Sequence, residues 1–321
     1  MTTAGAPSLP LDESTAASST EPAPSSPIPA LRRRVSEATV GYAMLTPMVV
    51  VVLGLIGYPL VLSIWFGFTD TAIGESGDFI GVDNYLANWN DPIFRRTLWN
   101  TFNYTVTAVV AKLVLGVVMA VLLAELRSFQ RLWRGVFLMP WVVPSSLSVL
   151  GWVWMFDAQF SILTWLINSF GLYDGPIRWL GQPSLAMAAV QTVNIWRGAP
   201  FFGIMILAGM KTLPRDLLEA ATVDGASAWQ KFRHVTLPHL RPLLYVVTLF
   251  SFVQTMADFQ IVWLLTKGGP QNSTHLIATL SFRTAIQTGA IGRGAAIALF
   301  LFPFLLLILA LQLRSLRKAN Q

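Results

Sequence analysis

The polar residues set inside otherwise apolar runs are where this chain could do chemistry. Gln191, Asn194 and Arg197 recur every third position, which puts them on roughly one face of a helix. Trp196 lies beside them, and Gly198 and Pro200 follow, a pair that suggests a local break whose freed carbonyls could hold the guanidinium. Gln254 and Asp258 are four apart in another apolar run, with Gln260 and Trp263 nearby. Asp258 is the only acid well inside a candidate membrane span, and such a group needs a partner. Lys112 and Arg197 are candidates for it, and an ion pair or a direct contact with a transported solute are both open. Bond-breaking chemistry finds little support. Cysteine is absent, His234, His239 and His275 do not cluster at a metal-ligand spacing, and no G-x-x-x-x-G-K-[ST] phosphate cradle occurs. The acids lie mostly in loops on opposite sides of the apolar runs rather than as a glycosidase pair. No catalytic residue, metal site or cofactor is therefore assigned to the chain.

The elements that must position these groups are membrane helices. Of 321 residues, 54% are hydrophobic and 12% charged, about half the charge of a soluble domain. Apolar runs near Thr39–Phe66, Leu98–Ala124, Gly135–Phe156, Leu185–Met210, Leu243–Leu265 and Ala295–Leu313 each approach the roughly 20 residues that span a bilayer. The expected fold is all-α, a polytopic bundle of about six transmembrane helices. Residues 1–35, rich in Ala, Ser, Thr and Pro and lacking a secretory-signal layout, read as a disordered tail. Residues 36–315 form the membrane domain and 316–321 a short tail. Pro140 and Pro144 predict a kink in the third span. Trp152 and Trp154 suit either an aromatic belt or stacking on the ring of a ligand.

Basic residues orient the bundle. Arg32, Arg33, Arg34, then Arg127, Arg131, Arg134, then Lys211, Arg215, Lys231, Arg233, Arg241, then Arg314, Arg317, Lys318 fall on one side. The other side has only Arg95, Arg96, Arg178, Lys267, Arg283 and Arg293. The richer side is expected to be cytoplasmic, with both termini there, in a bacterial cytoplasmic (inner) membrane. Positive charge spread along membrane edges also argues against a nucleic-acid partner; the lipid bilayer is the partner expected instead.

Between the fourth and fifth spans lies Leu213–Pro242, the longest charge-rich stretch between two strongly apolar blocks. Pro214 can open a helix carrying Leu217, Leu218 and Ala221, Gly225 can end it, and Ser227 can cap a second with Trp229 and Phe232 on one face. Pro238 and Pro242 mark entry into the next apolar block. Glu219-Ala220-Ala221, Asp224-Gly225-Ala226 and Leu237-Pro238, in this order and spacing, resemble the EAA loop of membrane subunits of ATP-binding-cassette importers. Other stretches resemble the carbohydrate-importer group of that family. They are Phe79–Tyr85 (F-x-G-x-x-N-Y), Asn100-Thr101, Leu138–Pro144 with Trp152–Asp157, and Leu265–Pro270 (L-T-x-G-G-P). Taken from the residues alone, Gly81 allows a tight turn, Tyr85 suits the headgroup level, and Thr266–Pro270 is an exit turn.

The resemblance covers about residues 40–315. It implies a type I importer permease whose coupling helix-turn-helix docks in a cleft of a nucleotide-binding subunit. Glu219 would then supply an exposed charge, Ala220 and Ala221 a close approach, Asp224 and Gly225 the turn. Leu237 and Pro238 complete the set. It also implies a second homologous permease subunit, two ATPase subunits that carry ATP and Mg, and an extracytoplasmic sugar-binding protein. The function it implies is a subunit of an ATP-driven sugar importer. Gln191, Asn194, Trp196, Arg197, Gln254, Asp258 and Trp263 would be the pathway candidates. The same fold importing a glycerol phosphodiester or polyol is an alternative. A stand-alone secondary transporter or channel, or a membrane sensor, are readings of another class.

Overall fold

The computed structural model describes residues 37–126 and 128–319. The expected tail over 1–35, the arginine triplet within it and Arg127 lie outside the described residues. The chain divides into two compact units between Leu53 and Gly54. In the first, the described part is a single helix, α1 (Glu37–Val52), exposed from Ala38 onward. The second begins within a π-helical turn, Leu53–Gly57, and continues into α2 (Tyr58–Gly67).

The F-x-G-x-x-N-Y motif acts as a clasp on the end of α2. Gly81 takes φ +63°, outside the comfortable range of a side-chain-bearing residue, and turns the chain into α3 (Asp83–Asn90). Asn84 Nδ2 then donates to the carbonyls of Gly67 and Thr69, at 3.2 and 2.7 Å. Tyr85 packs its ring on Phe68 and Phe300. Asp91 caps α4 (Pro92–Glu125), its Oδ1 accepting from the Ile93 N–H at 2.8 Å, while Pro92 occupies the first turn where no N–H is needed.

The third apolar run is broken: α5 (Gln130–Val142) and α6 (Ser145–Met155) meet at 88°. The expected kink is a sharp elbow at Val143–Pro144, where Pro144 cannot continue the ladder. After α7 (Ile162–Ser169), α8 (Pro183–Lys211) runs unbroken for 29 residues. That corrects the break expected at Gly198–Pro200. Glycine is needed at 198 for a different reason, because a Cβ there would sit 2.4 Å from Lys112 Cδ. Likewise a Cβ on Gly116 of α4 would meet Phe202 Cβ at 2.3 Å, and one on Gly203 would press on Met119. These small residues let α4 and α8 approach closely, as at membrane helix interfaces generally. Ala120, Leu123, Phe202, Ile206 and Leu240 bury themselves around that contact.

Two short helices follow, α9 (Arg215–Val223) and α10 (Ala228–Lys231). The chain then passes through a π-turn, Phe232–Thr236, straight into α11 (Leu237–Met256). Leu237-Pro238 opens α11, as expected of the entry into the apolar block, but with no break in a helical run that extends from Ala228 to Met256. The fifth span also ends earlier than expected. α11 stops at Met256 and α12 (Gln260–Leu265) restarts after a three-residue gap, so Asp258 lies at a break and not deep in a helix. Asp258 Oδ1 accepts from the Ile261 N–H at 3.3 Å and so helps begin α12. Then come α13 (Ile277–Phe282), α14 (Ile291–Leu299) and α15 (Phe302–Ala319).

Five helical runs are long and apolar enough to cross a membrane: Ala38–Gly67, Pro92–Glu125, Pro183–Lys211, Ala228–Met256 and Ile291–Arg314. The elbowed pair α5–α6 makes six if counted as one span. Among the described residues there is no strand beyond two isolated bridges, Thr69–Phe79 and Ala72–Glu75. The all-α expectation therefore holds.

Candidate functional site: a polar cavity and a pre-formed loop

A cavity of ≈ 360 Å³ opens between α4, α5, α8, α11 and the α11–α12 break. Arg197 is the fifteenth of the 29 residues of α8, so the cavity lies at about the middle of that helix. Four of the residues expected on the pathway line it, Asn194, Arg197, Gln254 and Asp258, together with Lys112. Trp141, Phe201 and Phe259 add aromatic surface, Trp141 and Phe201 being stacked at 5.5 Å.

Asp258 is held by neutral donors. Its Oδ2 accepts from Tyr104 Oη at 2.7 Å and from Asn194 Nδ2 at 2.9 Å. The ion pair expected with Lys112 or Arg197 does not form. Lys112 Nζ donates to Thr255 Oγ1 at 2.7 Å, and Thr255 in turn donates to the Ser251 carbonyl. Asn194 Oδ1 and Arg197 Nε are buried without a protein partner. Lys112 and Arg197 thus bring positive charge, Asp258 negative charge, and the amides both donors and acceptors, to one small volume. Such a set suits a neutral solute rich in hydroxyls, which both donates and accepts.

The other three expected pathway residues lie elsewhere. Gln191 Nε2 donates to Asn103 Oδ1 at 3.2 Å across α4 and α8. Trp196 packs edge-on against Trp152. Trp263 stacks on Phe259 and meets Phe282 edge-on. Helical spacing placed Gln191 on the right helix, but the cavity touches α8 only from Asn194 to Phe202, and Gln191 lies about one turn before that stretch. Tyr104, a buried core residue that holds Asp258, and Thr255, which lines the cavity and holds Lys112, carry no sequence signal of these roles, because an aromatic and a threonine in an apolar run read as ordinary core.

At one end of the bundle the remaining motifs form a lattice. Asn100 Nδ2 donates to the carbonyls of Ser273 and His275, and Thr101 Oγ1 accepts from the Ile277 N–H. The L-T-x-G-G-P turn is closed by Thr274, which bridges Thr266 Oγ1 and the Gly269 carbonyl, each at 2.7 Å. Gly268, at φ +87°, lies flat against the buried His275 ring, where a Cβ would overlap it at 2.1 Å. Arg283 donates to Asn272 Oδ1 and to His275 Nε2. Nε2 therefore accepts, and the ring proton sits on Nδ1 facing Thr279 Oγ1 at 3.1 Å. Burial, then the neighbouring guanidinium, pull the His275 pKa down to about 4. Arg293 pairs with Asp91 at 2.8 Å and with Asn88. Of the six basic residues expected on the poorer side, Arg96 and Arg283 thus reach the adjacent residues Gln271 and Asn272, and Arg293 holds Asp91 and Asn88.

Beyond Lys211, α9 and α10 make a self-contained unit. The α9 C-terminus closes with both bonds of a Schellman motif, Ala226 N–H to Ala221 O at 2.9 Å and Gly225 N–H to Thr222 O at 3.1 Å. Gly225 takes the φ of +75° this requires. Ser227 and Gln230 then form a complete capping box. Glu219, Ala220 and Asp224 are exposed and Ala221 is half-buried. Glu219 has no hydrogen bond or ion pair to the described residues. Val223 is 89% exposed, and Leu217 and Trp229 are also open, with Trp229 stacked on Phe232. This loop has satisfied its own backbone and left an apolar and acidic face bare.

Comparison with known proteins agrees with this geometry. The model of the family described as "Binding-protein-dependent transport system inner membrane component" matches residues 112–320. The trehalose/maltose transport system permease protein MalF of Thermococcus litoralis is 32% identical over 84% of this chain and 91% of its own length. The sulfoquinovosyl glycerol transport system permease protein SmoG of Agrobacterium fabrum is 33% identical over 85% and 89%. A chain from the crystal structure of a bacterial ABC transporter involved in alginate import superposes with TM-score 0.74. It is 21% identical and covers 88% of this chain and 95% of its own. A second structure, of an alginate transporter in complex with a periplasmic protein bound to an alginate pentasaccharide, gives 0.74 at 20% identity over 86% and 92%. With two thirds of its length under the family model and full-length permease relatives at this identity, the chain belongs to the inner-membrane components of binding-protein-dependent transport systems.

Proposed function

We propose that this permease forms half of a sugar translocation pathway, coupled through the Arg215–Lys231 unit to a separate ATPase. The observation that carries the coupling is the pre-formed loop. It ends one helix and starts the next without help, so its bare face can dock without an ordering penalty. Glu219 offers a charge to a basic group on the ATPase, while Ala220, Ala221, Asp224 and Gly225 keep the approach close; Leu237 and Pro238 seat the unit on the start of α11. The mid-helix cavity is the pathway segment, with Asn194, Arg197, Gln254 and Asp258 facing the passing solute. The relatives named for trehalose/maltose and for sulfoquinovosyl glycerol support a sugar as that solute.

The same reading supplies the partners: a second homologous permease subunit, two ATPase subunits holding ATP and Mg, and an extracytoplasmic sugar-binding protein. It places the α9–α10 unit and both termini in the cytoplasm and the Asn100–His275–Arg283 network outside. The test is to purify the tagged chain, expressed with its neighbouring ATPase, binding-protein and permease genes, and to reconstitute sugar uptake in ATP-loaded vesicles. Uptake should require all components and stop when the ATPase is omitted. Uptake that persists without it would make the chain a channel or secondary transporter.

A further inference from the structure

A second cavity has the opposite chemistry. It is a groove of ≈ 550 Å³ where α4, α11 and α15 diverge, walled by Phe102, Phe252, Met256, Phe304, Leu307 and their apolar neighbours. Its one charged lining residue is Arg95, in the first turn of α4, and Trp99 stands one turn further on. The Arg95 side chain is exposed and makes no hydrogen bond or ion pair to the described residues, whereas nearby Arg96 reaches the Gln271 carbonyl and Arg293 is paired with Asp91. Trp99 is 65% exposed and its ring leans on Phe102 at 6.3 Å. From Arg95 to Thr105, the lining residues farthest apart on α4, the helix rises roughly 15 Å. That is about half of a ~30 Å hydrocarbon core.

We propose that this groove is a binding site for one anionic phospholipid of the leaflet at the Arg95 end. The acyl chain lies between α4, α11 and α15, and the headgroup phosphate rests on Arg95. Three observations converge on that occupant. The groove has an apolar wall and almost no polar surface, so it accepts a hydrocarbon chain and offers a sugar nothing. Its length matches one leaflet rather than a helix crossing both. Its one charge is a cation at the mouth, with a tryptophan at the level where aromatic rings meet headgroups. The groove shares Thr105 and Met256 with helices that lead to the polar cavity, since Met256 is the last residue of α11 before the Asp258 break. A bound chain therefore bears on the segment that presents Asp258.

The test uses the assembled transporter in nanodiscs with phospholipids brominated along the acyl chain, whose bromines quench tryptophan on contact. Trp99-dependent quenching is the difference between the wild-type chain and Trp99→Phe. It should be roughly fivefold stronger per lipid with phosphatidylglycerol than with phosphatidylcholine, the preference that ~1 kcal/mol per basic residue confers. Arg95→Gln should abolish the preference and Arg95→Lys retain most of it. Equal quenching by both headgroups would reduce the groove to ordinary lipid-facing surface and overturn the proposal. Absence of Trp99 quenching in the assembled complex would overturn it too, because a protein partner would then occupy the groove.

Discussion

Asp258 divides its carboxylate among Tyr104, Asn194 and the Ile261 amide in the first turn of α12, and each bond holds a different helix. Replacing it with asparagine keeps the shape and removes the charge. Hydrogen bonds to a charged group contribute about 1.5–3 kcal/mol. Asp258→Asn is therefore expected to lower sugar uptake at least tenfold while the amount of protein in the membrane stays the same, as an immunoblot beside a transport assay would measure. His275 gives a pH signature away from the cavity. Its folded pKa of about 4 lies below the unfolded value of ~6.5, so the unfolded chain binds the extra proton between these values. Stability is expected to be flat above pH 6.5 and to fall toward pH 4, by at most about 1.4 kcal/mol per pH unit. Melting curves of wild type and His275→Gln across that range should diverge only on the acid limb. At this scale the sequence spoke clearly where a charged or amide group interrupted an apolar run, as with Asn194, Arg197 and Asp258. Tyr104, the closest partner of Asp258, was silent, because nothing local distinguishes its hydroxyl from that of a packed core tyrosine.

Helix ends governed by neighbouring residues were legible; helix ends governed by distant contacts were not. The Gly225 stop and the Ser227 start both needed only a few residues of sequence. α8 runs on through Gly198 and Pro200, and what requires the glycine is Lys112 lying across it, a contact 86 positions away in the chain. The break after Met256 likewise depends on Tyr104 and Asn194 gripping Asp258. Two substitutions probe the elements. Gly225→Asp leaves room for its side chain but forces it into left-handed backbone at a cost of about 1–2 kcal/mol, and it adds a charge beside Glu219's face. It is expected to insert normally yet fail to stimulate the ATPase when sugar-loaded binding protein is added. Gly116→Leu, in contrast, drives a side chain into Phe202 and the Gly203 backbone and should destabilise by about 1–3 kcal/mol or more, seen as a lower melting temperature in detergent.

Orientation belongs to the whole molecule, and the lack of cysteine makes it simple to measure. Val223→Cys, on the α9–α10 unit, is expected to react with an impermeant maleimide only in inside-out vesicles, and Asp174→Cys, in the exposed segment after α7, only in right-side-out cells. Labelling of Val223→Cys from outside would invert the assignment of every loop. The six apolar runs were readable as a bundle because hydropathy survives any rearrangement of packing, and the prolines announced a kink in the third, whereas its 88° angle needed three dimensions to appear. That elbow matters together with the gap before α12. α6 and α12 pack on one another through Val149, Trp152, Ile261 and Val262, and each is joined at its N-terminal end by a short link, Val143–Pro144 for one and Ala257–Phe259 for the other. The pair is a leaf hung on two adjacent pins. Its inner face rests on Tyr104 of α4 and on Ala189, Val190 and Val193 of α8, so α4 and α8, drawn together at Gly116, Gly198 and Gly203, serve as the jamb, and the carboxylate of Asp258 is set where leaf and jamb meet.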